Sequence, residues 1–123
     1  LQLSQTTMEP VAMTTVLRSF PTISAQSRTV RFEGRDHGGP VSFFLIDTDP
    51  GKGSDMHTHP YAETWVLRAG RAQFTVGNEK IVGSAGDIII APPNVPHCYV
   101  NTGTEPLEMI CIHPGDQIVQ RLV

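Results

Sequence analysis

Two histidines and a glutamate stand close together near the middle of the chain. His57 and His59 are separated by one residue, and Glu63 follows four positions after His59. Side chains two positions apart in an extended strand point to the same face, so both imidazoles can reach one point. Glu63 is in phase with the apolar Trp65 and Leu67, which marks its face as the inward one. A carboxylate on that face is costly unless it is paired or binds a metal, so the spacing predicts a metal site.

A third histidine belongs to the same prediction. His97 enters a strand directly after the proline-rich turn A-P-P-N-V-P. Three imidazole nitrogens and one carboxylate oxygen suit a borderline divalent metal, and Fe, Mn, Ni, Co, Cu and Zn all accept such a set. The alternative is a polar cluster without a metal, in which hydrogen bonds satisfy the imidazoles.

Residues 51–70 resemble the first sequence motif of the cupin family. That motif reads G-x5-H-x-H-x3,4-E-x6-G, and its fixed positions are filled here by Gly51, His57, His59, Glu63 and Gly70. The spacing between the fixed positions agrees throughout. The match therefore includes all three ligand candidates from this part of the chain.

Residues 86–101 resemble the second cupin motif, G-x5-P-x-G-x2-H-x3-N. Its fixed positions are filled by Gly86, Pro92, His97 and Asn101, while Asn94 stands where the family has glycine. Asparagine adopts the left-handed backbone conformation more readily than other residues with a side chain, so the exchange is compatible with the same turn.

The resemblance is to small single-domain cupins, and it implies an all-β fold, a double-stranded β-helix or jelly-roll barrel. It also implies that His57, His59, Glu63 and His97 bind one divalent transition metal. Four protein ligands leave one or two coordination positions open for water, dioxygen or substrate. The resemblance does not select a reaction, because cupins share a site and differ in chemistry.

The strands that must position these residues are indicated by alternating apolar residues between glycine, proline and asparagine turns. We expect strands at residues 13–20, 28–33 and 41–47, and a tight hairpin turn at Gly77 and Asn78. Residues 115–123 are expected to form a helical turn or a tail. No segment between residues 28 and 113 has a helical period, so the pattern predicts a sandwich or barrel.

The inward positions near the ligands predict the wall of a small-molecule pocket. We assign to it Trp65, Phe74, Tyr99, Met109 and Cys111. Plain barrel core is the alternative for each, and for Phe74 it is the preferred one. Trp65 and Tyr99 carry polar groups that need partners when buried, so either role suits them.

The last two strands are expected to form a hairpin, with Asn101 opposite Leu107. That pairing would place His97 opposite Cys111, and a slip by two residues would place Met109 there instead. Catalytic residues are not identified by the sequence. Tyr99 and His113 are the candidates for a general acid or base.

Length and composition bound the remaining possibilities. A chain of 123 residues with 39% apolar and 17% charged residues is expected to form one globular domain. We assign residues 13–123 to a single cupin barrel, and residues 1–12 to a flexible N-terminal arm or an expression remnant. An arm could add a strand to a partner subunit.

Charge and cysteine content indicate the expected partners and compartment. A net charge of −3 without a basic run argues against nucleic acid and against a membrane surface, and no stretch is apolar enough for a membrane span. No secretory leader is recognised, and Cys98 and Cys111 have no disulfide-framework spacing, so a reducing cytoplasm is expected. Exposed strand edges and the outward Val66 favour a homodimer.

The sequence thus supports three hypotheses about function. The first is a dioxygenase-like metalloenzyme that acts on a small organic molecule in the barrel. The second is a metal-dependent isomerase, lyase or cyclase. The third is a non-catalytic module that binds or senses a small molecule, so enzyme status is left open.

Overall fold

The computed structural model of this chain describes residues 13–123. Ten strands lie in that range, and a short 3-10 helix, Gly34–His37, joins the first two. The strands are β1 (Val30–Phe32), β2 (Ser42–Thr48), β3 (His57–Thr58), β4 (Glu63–Ala69), β5 (Arg71–Val76), β6 (Glu79–Ser84), β7 (Ile88–Ala91), β8 (His97–Asn101), β9 (Leu107–His113) and β10 (Arg121–Leu122).

The strands form two antiparallel sheets of five strands each. The first sheet has the order β1-β2-β9-β4-β7, and the second has the order β10-β3-β8-β5-β6. Each sheet mixes early and late strands, so the chain crosses repeatedly between them, as in a jelly roll. The predicted all-β, double-stranded β-helix fold is confirmed.

The core lies between the inner faces of the two sheets. Buried and less buried residues alternate along β4 and β9, as they must when one sheet face packs inward. Trp65 stacks on Phe74 of the second sheet with ring centroids 4.7 Å apart, which joins the two faces. The core thus supports the strands that carry the ligand candidates.

The predicted hairpin between the last two long strands is wrong. His97 lies opposite His57 of β3 and Val76 of β5, whereas Cys111 lies opposite Phe44 of β2 and Trp65 of β4. Residues 102–106 carry the chain from the second sheet to the first instead of turning it back. The pattern of alternation determined which side chains face inward, but it contains no information about which strands pair.

Asn101 organises this crossing. Its side-chain Nδ2 donates to the carbonyls of Thr48 and Glu105, and its Oδ1 accepts from the Gly103 amide, at 2.9 Å in each case. The buried asparagine that closes the second motif therefore acts as a structural link at the far end of β8.

Other expectations for local structure have mixed outcomes. Strands β1 and β2 lie where residues 28–33 and 41–47 predicted them, and the two-residue turn joins Val76 to Glu79 as expected. Residues 13–20 form no strand, because β-branched residues alone do not make one without a partner edge. Residues 115–123 contain β10 and no helical turn, and the arm assigned to residues 1–12 lies outside the described residues.

Candidate metal centre

The four ligand candidates meet at the inner surface of the barrel. One nitrogen from each of His57, His59 and His97 and one oxygen of Glu63 lie within 4.8 Å of one another. All four residues are buried. His57 begins β3, His59 is the residue directly after β3, and β4 and β8 begin with Glu63 and His97.

A backbone hydrogen bond connects the two segments that carry the histidine ligands. The Asn94 amide donates to the carbonyl of His59 at 2.8 Å, which links the turn before His97 to the end of the first histidine pair. Asn94 has a φ of 62°, so it adopts the left-handed conformation at the position where the cupin motif has glycine. The departure from the motif therefore preserves the turn.

Each of the three histidines is oriented by a backbone carbonyl. The Nδ1 atoms of His57, His59 and His97 lie 2.7, 2.8 and 3.1 Å from the carbonyl oxygens of Asp55, Val119 and Val95. A carbonyl only accepts hydrogen bonds, so each Nδ1 carries a proton and donates it. In the neutral imidazole the Nε2 atom then has the free lone pair that a metal needs.

The Nε2 atoms of two of these imidazoles converge on one carboxylate oxygen. His59 Nε2 and His97 Nε2 each lie 3.0 Å from Glu63 Oε1. Lone pairs facing a carboxylate oxygen repel it, so either a proton or a cation must stand between them. The donor set therefore fits a divalent metal, and these residues form a group able to hold one.

Burial and the neighbouring charges shift the pKa values of three of these groups. Burial acts to raise the pKa of Glu63, but the adjacent imidazoles of His113, His59 and His97 outweigh it and hold the pKa well below its usual range. Burial acts to lower the pKa of His59, but Glu63 and the Val119 carbonyl outweigh it and raise the pKa. Burial lowers the pKa of His57, which favours its neutral, ligating form.

A fourth buried imidazole reaches the same carboxylate from the other side. His113 Nε2 lies 3.3 Å from Glu63 Oε2, and its Nδ1 lies 2.6 Å from the Tyr61 hydroxyl. The sequence put His113 among the acid–base candidates because it is in phase with the interior of β9. The role of Tyr61 was missed, since the residue lies in a turn where alternation gives no orientation.

A cavity of about 470 Å³ lies beside the ligands and opens to the surface. His57, Glu63, His97 and His113 border it, and its other walls include Phe44, Ile46, Trp65, Tyr99 and Cys111. Burial raises the pKa of Tyr99 to about 12 and raises that of the Cys111 thiol well above its usual range, so both groups keep their protons. The cationic residues of its wall are Arg28 and Lys52, both exposed, and Arg28 pairs with Asp47 and Asp49 at 3.0 and 2.7 Å.

Of the five residues assigned to the pocket wall, the structure places Trp65, Tyr99 and Cys111 at the cavity. Phe74 and Met109 lie in the hydrophobic core and do not line it. Phe74 stacks on Trp65 within the core, and Met109 lies one inward position before Cys111 on β9.

Comparison with known proteins agrees with this geometry. The family model of the cupin domain matches residues 44–113, which include all four ligand candidates. The chain belongs to the cupin family. Among residues 13–123 of this cupin, no helix has both the length and the hydropathy of a membrane span.

Relatives by sequence include a much longer enzyme. The cupin is 32% identical over 90 residues to mannose-1-phosphate guanylyltransferase of Escherichia coli K12, which covers 72% of this chain and 19% of the enzyme. It is also 37% identical over 57 residues to an uncharacterized protein of Methanocaldococcus jannaschii, 46% of each chain. The cupin thus spans about a fifth of the length of the guanylyltransferase.

Solved structures share the fold. An oxalate decarboxylase of Bacillus subtilis superposes with a TM-score of 0.75 at 21% identity, over 84% of this chain and 30% of the enzyme. An uncharacterized double-stranded β-helix protein of Klebsiella pneumoniae superposes with a TM-score of 0.68 at 24% identity, over 83% of this chain and 90% of that one. At these identities the likeness concerns the fold alone.

Proposed function

We propose that this cupin is a metalloenzyme that acts on a small organic molecule in the barrel cavity, with dioxygenase chemistry as the first candidate reaction. The observation that carries the proposal is the orientation of the three imidazoles. Their Nδ1 protons are committed to carbonyls, so their Nε2 lone pairs are directed toward one point beside Glu63 Oε1. A polar cluster without metal has no need for that common orientation.

The cavity supports a substrate at the same point. Its volume of about 470 Å³ suits a small molecule, and the ligand residues His57, Glu63 and His97 form part of its wall. When bound, a divalent metal supplies Lewis acidity and, if it is redox-active, electron transfer to dioxygen. The aromatic and aliphatic walls would contact the apolar part of such a substrate.

The cavity wall includes Asp47 and Asp49, which pair with Arg28, and the exposed Asp55 and Lys52. Beside the ligands themselves few free proton-transfer groups are left, which favours oxygen chemistry over isomerisation. The Tyr99 hydroxyl keeps its proton because its pKa is about 12, so it is suited to donate a hydrogen bond to a substrate oxygen rather than to act as a base. The Cys111 thiol is likewise held protonated by burial. His113 is engaged with Glu63 and Tyr61 and is not free to face a substrate.

A metal-dependent lyase is the second candidate. Oxalate decarboxylase shares the fold, and the B. subtilis enzyme has Mn(II) centres. In this chain the cationic residues of the cavity wall are exposed, and Arg28 is paired with two aspartates, so a small anion would depend on the metal for most of its binding. A non-catalytic sensor is the third candidate and requires binding without turnover.

Metal content and dioxygen uptake test the proposal. Protein prepared without a chelator or a histidine tag should contain about one divalent metal per chain, and the variant His59→Ala should lose it. His37→Ala is the matched control, because His37 is exposed and stacks on Phe32 away from the cavity. An unchanged metal content in His59→Ala would overturn the metal site.

Reaction class is then tested on protein loaded anaerobically with Fe(II) or Mn(II). Dioxygen uptake that depends on a phenolic or carboxylic acid substrate supports the dioxygenase. Conversion of substrate without uptake assigns the lyase or isomerase class instead. Saturable binding with neither change identifies a sensor and overturns the proposal of an enzyme.

We also propose a homodimer formed through the outer face of the first sheet. The outward side chains of β4, β7 and β9 form an apolar face, made of Val66, Ile88, Ile90, Ile110 and Ile112. Ile88 and Ile90 are 65% and 63% exposed. Arg68 and Glu108 flank one end of the face, so a copy related by a twofold axis offers opposite charges to it.

Ile88→Glu should yield a monomer by light scattering, whereas Val82→Glu on β6 should not.

A further inference from the structure

We infer that His113 and Tyr61 are positioning residues that hold Oε2 of Glu63, so that the carboxylate offers Oε1 alone to the metal. The inference rests on the proposed metal site and adds two residues to it. Neither residue occupies a fixed position of the cupin motifs. Both lie close to the ligand set without belonging to the group of four atoms that converge.

The first step is the direction of the Tyr61 hydrogen bond. The Val119 amide donates to the Tyr61 hydroxyl oxygen at 3.0 Å. The hydroxyl oxygen therefore accepts from Val119, and its single proton is free to point to His113 Nδ1, 2.6 Å away.

The second step is the proton on His113. Because Nδ1 accepts from Tyr61, the neutral imidazole carries its proton on Nε2. That atom is buried and lies 3.3 Å from Glu63 Oε2, and no other polar partner reaches it within the described residues. His113 Nε2 and Glu63 Oε2 are therefore in close polar contact, but this contact does not have the geometry of a formed hydrogen bond.

The third step is the division of the carboxylate. Oε2 faces the N–H of His113, while Oε1 lies 3.0 Å from the Nε2 atoms of His59 and His97. A close polar contact with one oxygen restrains the rotation of the carboxylate plane and leaves the other oxygen for the metal. The turn from His59 through Tyr61 to Glu63 thus contains two ligand candidates and, between them, the hydrogen-bond partner of His113.

The test is Mn(II) affinity, read by electron paramagnetic resonance of the free ion, in matched variants. We expect His113→Leu and Tyr61→Phe to weaken Mn(II) binding by about 10- to 100-fold, the range typical of residues that orient metal ligands. His113→Gln should recover much of the loss, because its amide N–H can donate to Oε2. His37→Gln is the matched control and should bind Mn(II) as the unchanged protein does.

A second readout separates positioning from a general loss of stability. Freed from His113, Glu63 can bind Mn(II) through both oxygens, so His113→Leu should show fewer exchangeable waters by proton relaxation than the unchanged protein. The thermal midpoint of each metal-free variant is measured alongside. A loss of affinity that follows the midpoint, with no recovery in His113→Gln, would overturn the inference.

The remaining outcomes distinguish this inference from the metal site itself. If His59→Ala loses Mn(II) while His113→Leu and Tyr61→Phe bind it normally, the metal site stands and the positioning role is overturned. If His113→Leu and His113→Gln lose Mn(II) as completely as His59→Ala, His113 is a ligand and the inference is again overturned. If His59→Ala itself binds normally, both proposals fail.

Discussion

Glu63 is contacted by imidazoles on both sides, and the two sides differ in how those imidazoles are held. On the Oε1 side, His59 and His97 have their Nδ1 atoms on backbone carbonyls, which only accept. On the Oε2 side, His113 has its Nδ1 on a tyrosine hydroxyl, which we infer to donate because its oxygen already accepts from Val119. One side therefore presents lone pairs and the other presents a proton.

This difference shows how the role of a buried histidine is determined. The hydrogen-bond partner of Nδ1, the ring nitrogen that faces away from Glu63, decides whether Nε2 carries a proton or a lone pair. All three imidazoles are almost completely buried and lie at similar distances from the same carboxylate. Burial and distance alone would make them equivalent. The carbonyl or hydroxyl behind each ring determines whether it is suited to bind a cation or to donate a hydrogen bond.

Glu63→Gln is expected to have the largest effect on metal affinity, because it changes the carboxylate that both sides contact. The amide that it introduces has one oxygen and one NH₂ group, and its orientation will follow its neighbours. The proton of His113 attracts the oxygen, so the NH₂ group will face the lone pairs of His59 and His97. We expect loss of metal binding by more than about 100-fold, since the site loses its charge and gains a donor pointing at the metal position.

The measurement is Mn(II) or Zn(II) affinity together with the thermal midpoint of the metal-free variant. A folded Glu63→Gln variant with strongly reduced affinity supports the assignment of protons on the two sides. Residual binding within a few-fold of the unchanged protein would show that the amide oxygen still faces His59 and His97, and that His113 does not donate.

The pH dependence of metal binding is expected to be the next largest effect. Metal binds only the neutral imidazoles, so protons compete with it. The pKa of His59 is raised, so this competition begins above the ordinary value of about 6.5 for histidine. The pKa of Glu63 is held low, so the carboxylate stays charged and adds nothing to the dependence. Affinity should thus fall as the pH drops from about 8 to 5, by up to about tenfold per unit for each imidazole that protonates.

Titrations of Zn(II) into the protein at a series of pH values measure that slope. His37 provides no contribution, because it is exposed and remote from the ligands, so His37→Gln should reproduce the curve. A flat profile across this range would show that the three imidazoles do not compete for protons at the metal position.

Much of the Oε1 side could be predicted from sequence. Strand alternation and a proline turn predict that His57, His59 and Glu63 face one point, and the cupin motifs add His97. Three of these ligands begin strands and His59 directly follows one, so periodicity gives the orientation of their side chains. The all-β fold is predicted by the same alternation.

The Oε2 side could be predicted only in part. His113 was recognised as inward, but its neighbour across the barrel depends on strand pairing, and the predicted hairpin between β8 and β9 is wrong. Tyr61 lies in a turn, and Val119 acts through its backbone, which no residue type reveals. Contacts between the two sheets and contacts of the main chain are therefore the features of the site that the sequence does not predict.

The smallest expected effect comes from the backbone of Val119, which contacts one residue on each side of Glu63. The Val119 carbonyl accepts from His59 Nδ1, and the Val119 amide donates to the Tyr61 hydroxyl. Val119→Pro removes the amide proton and keeps the carbonyl, so it weakens only the anchor of Tyr61. We expect Mn(II) affinity to fall a few-fold, less than in Tyr61→Phe, because the phenol keeps its proton and its contact with His113. Gln117→Pro, two positions earlier in the chain, is the control for a proline in this segment, because it leaves both backbone groups of Val119 in place. A loss as large as that of His59→Ala would show that the carbonyl has moved as well, and an effect equal to the control would show that Tyr61 needs no anchor from Val119.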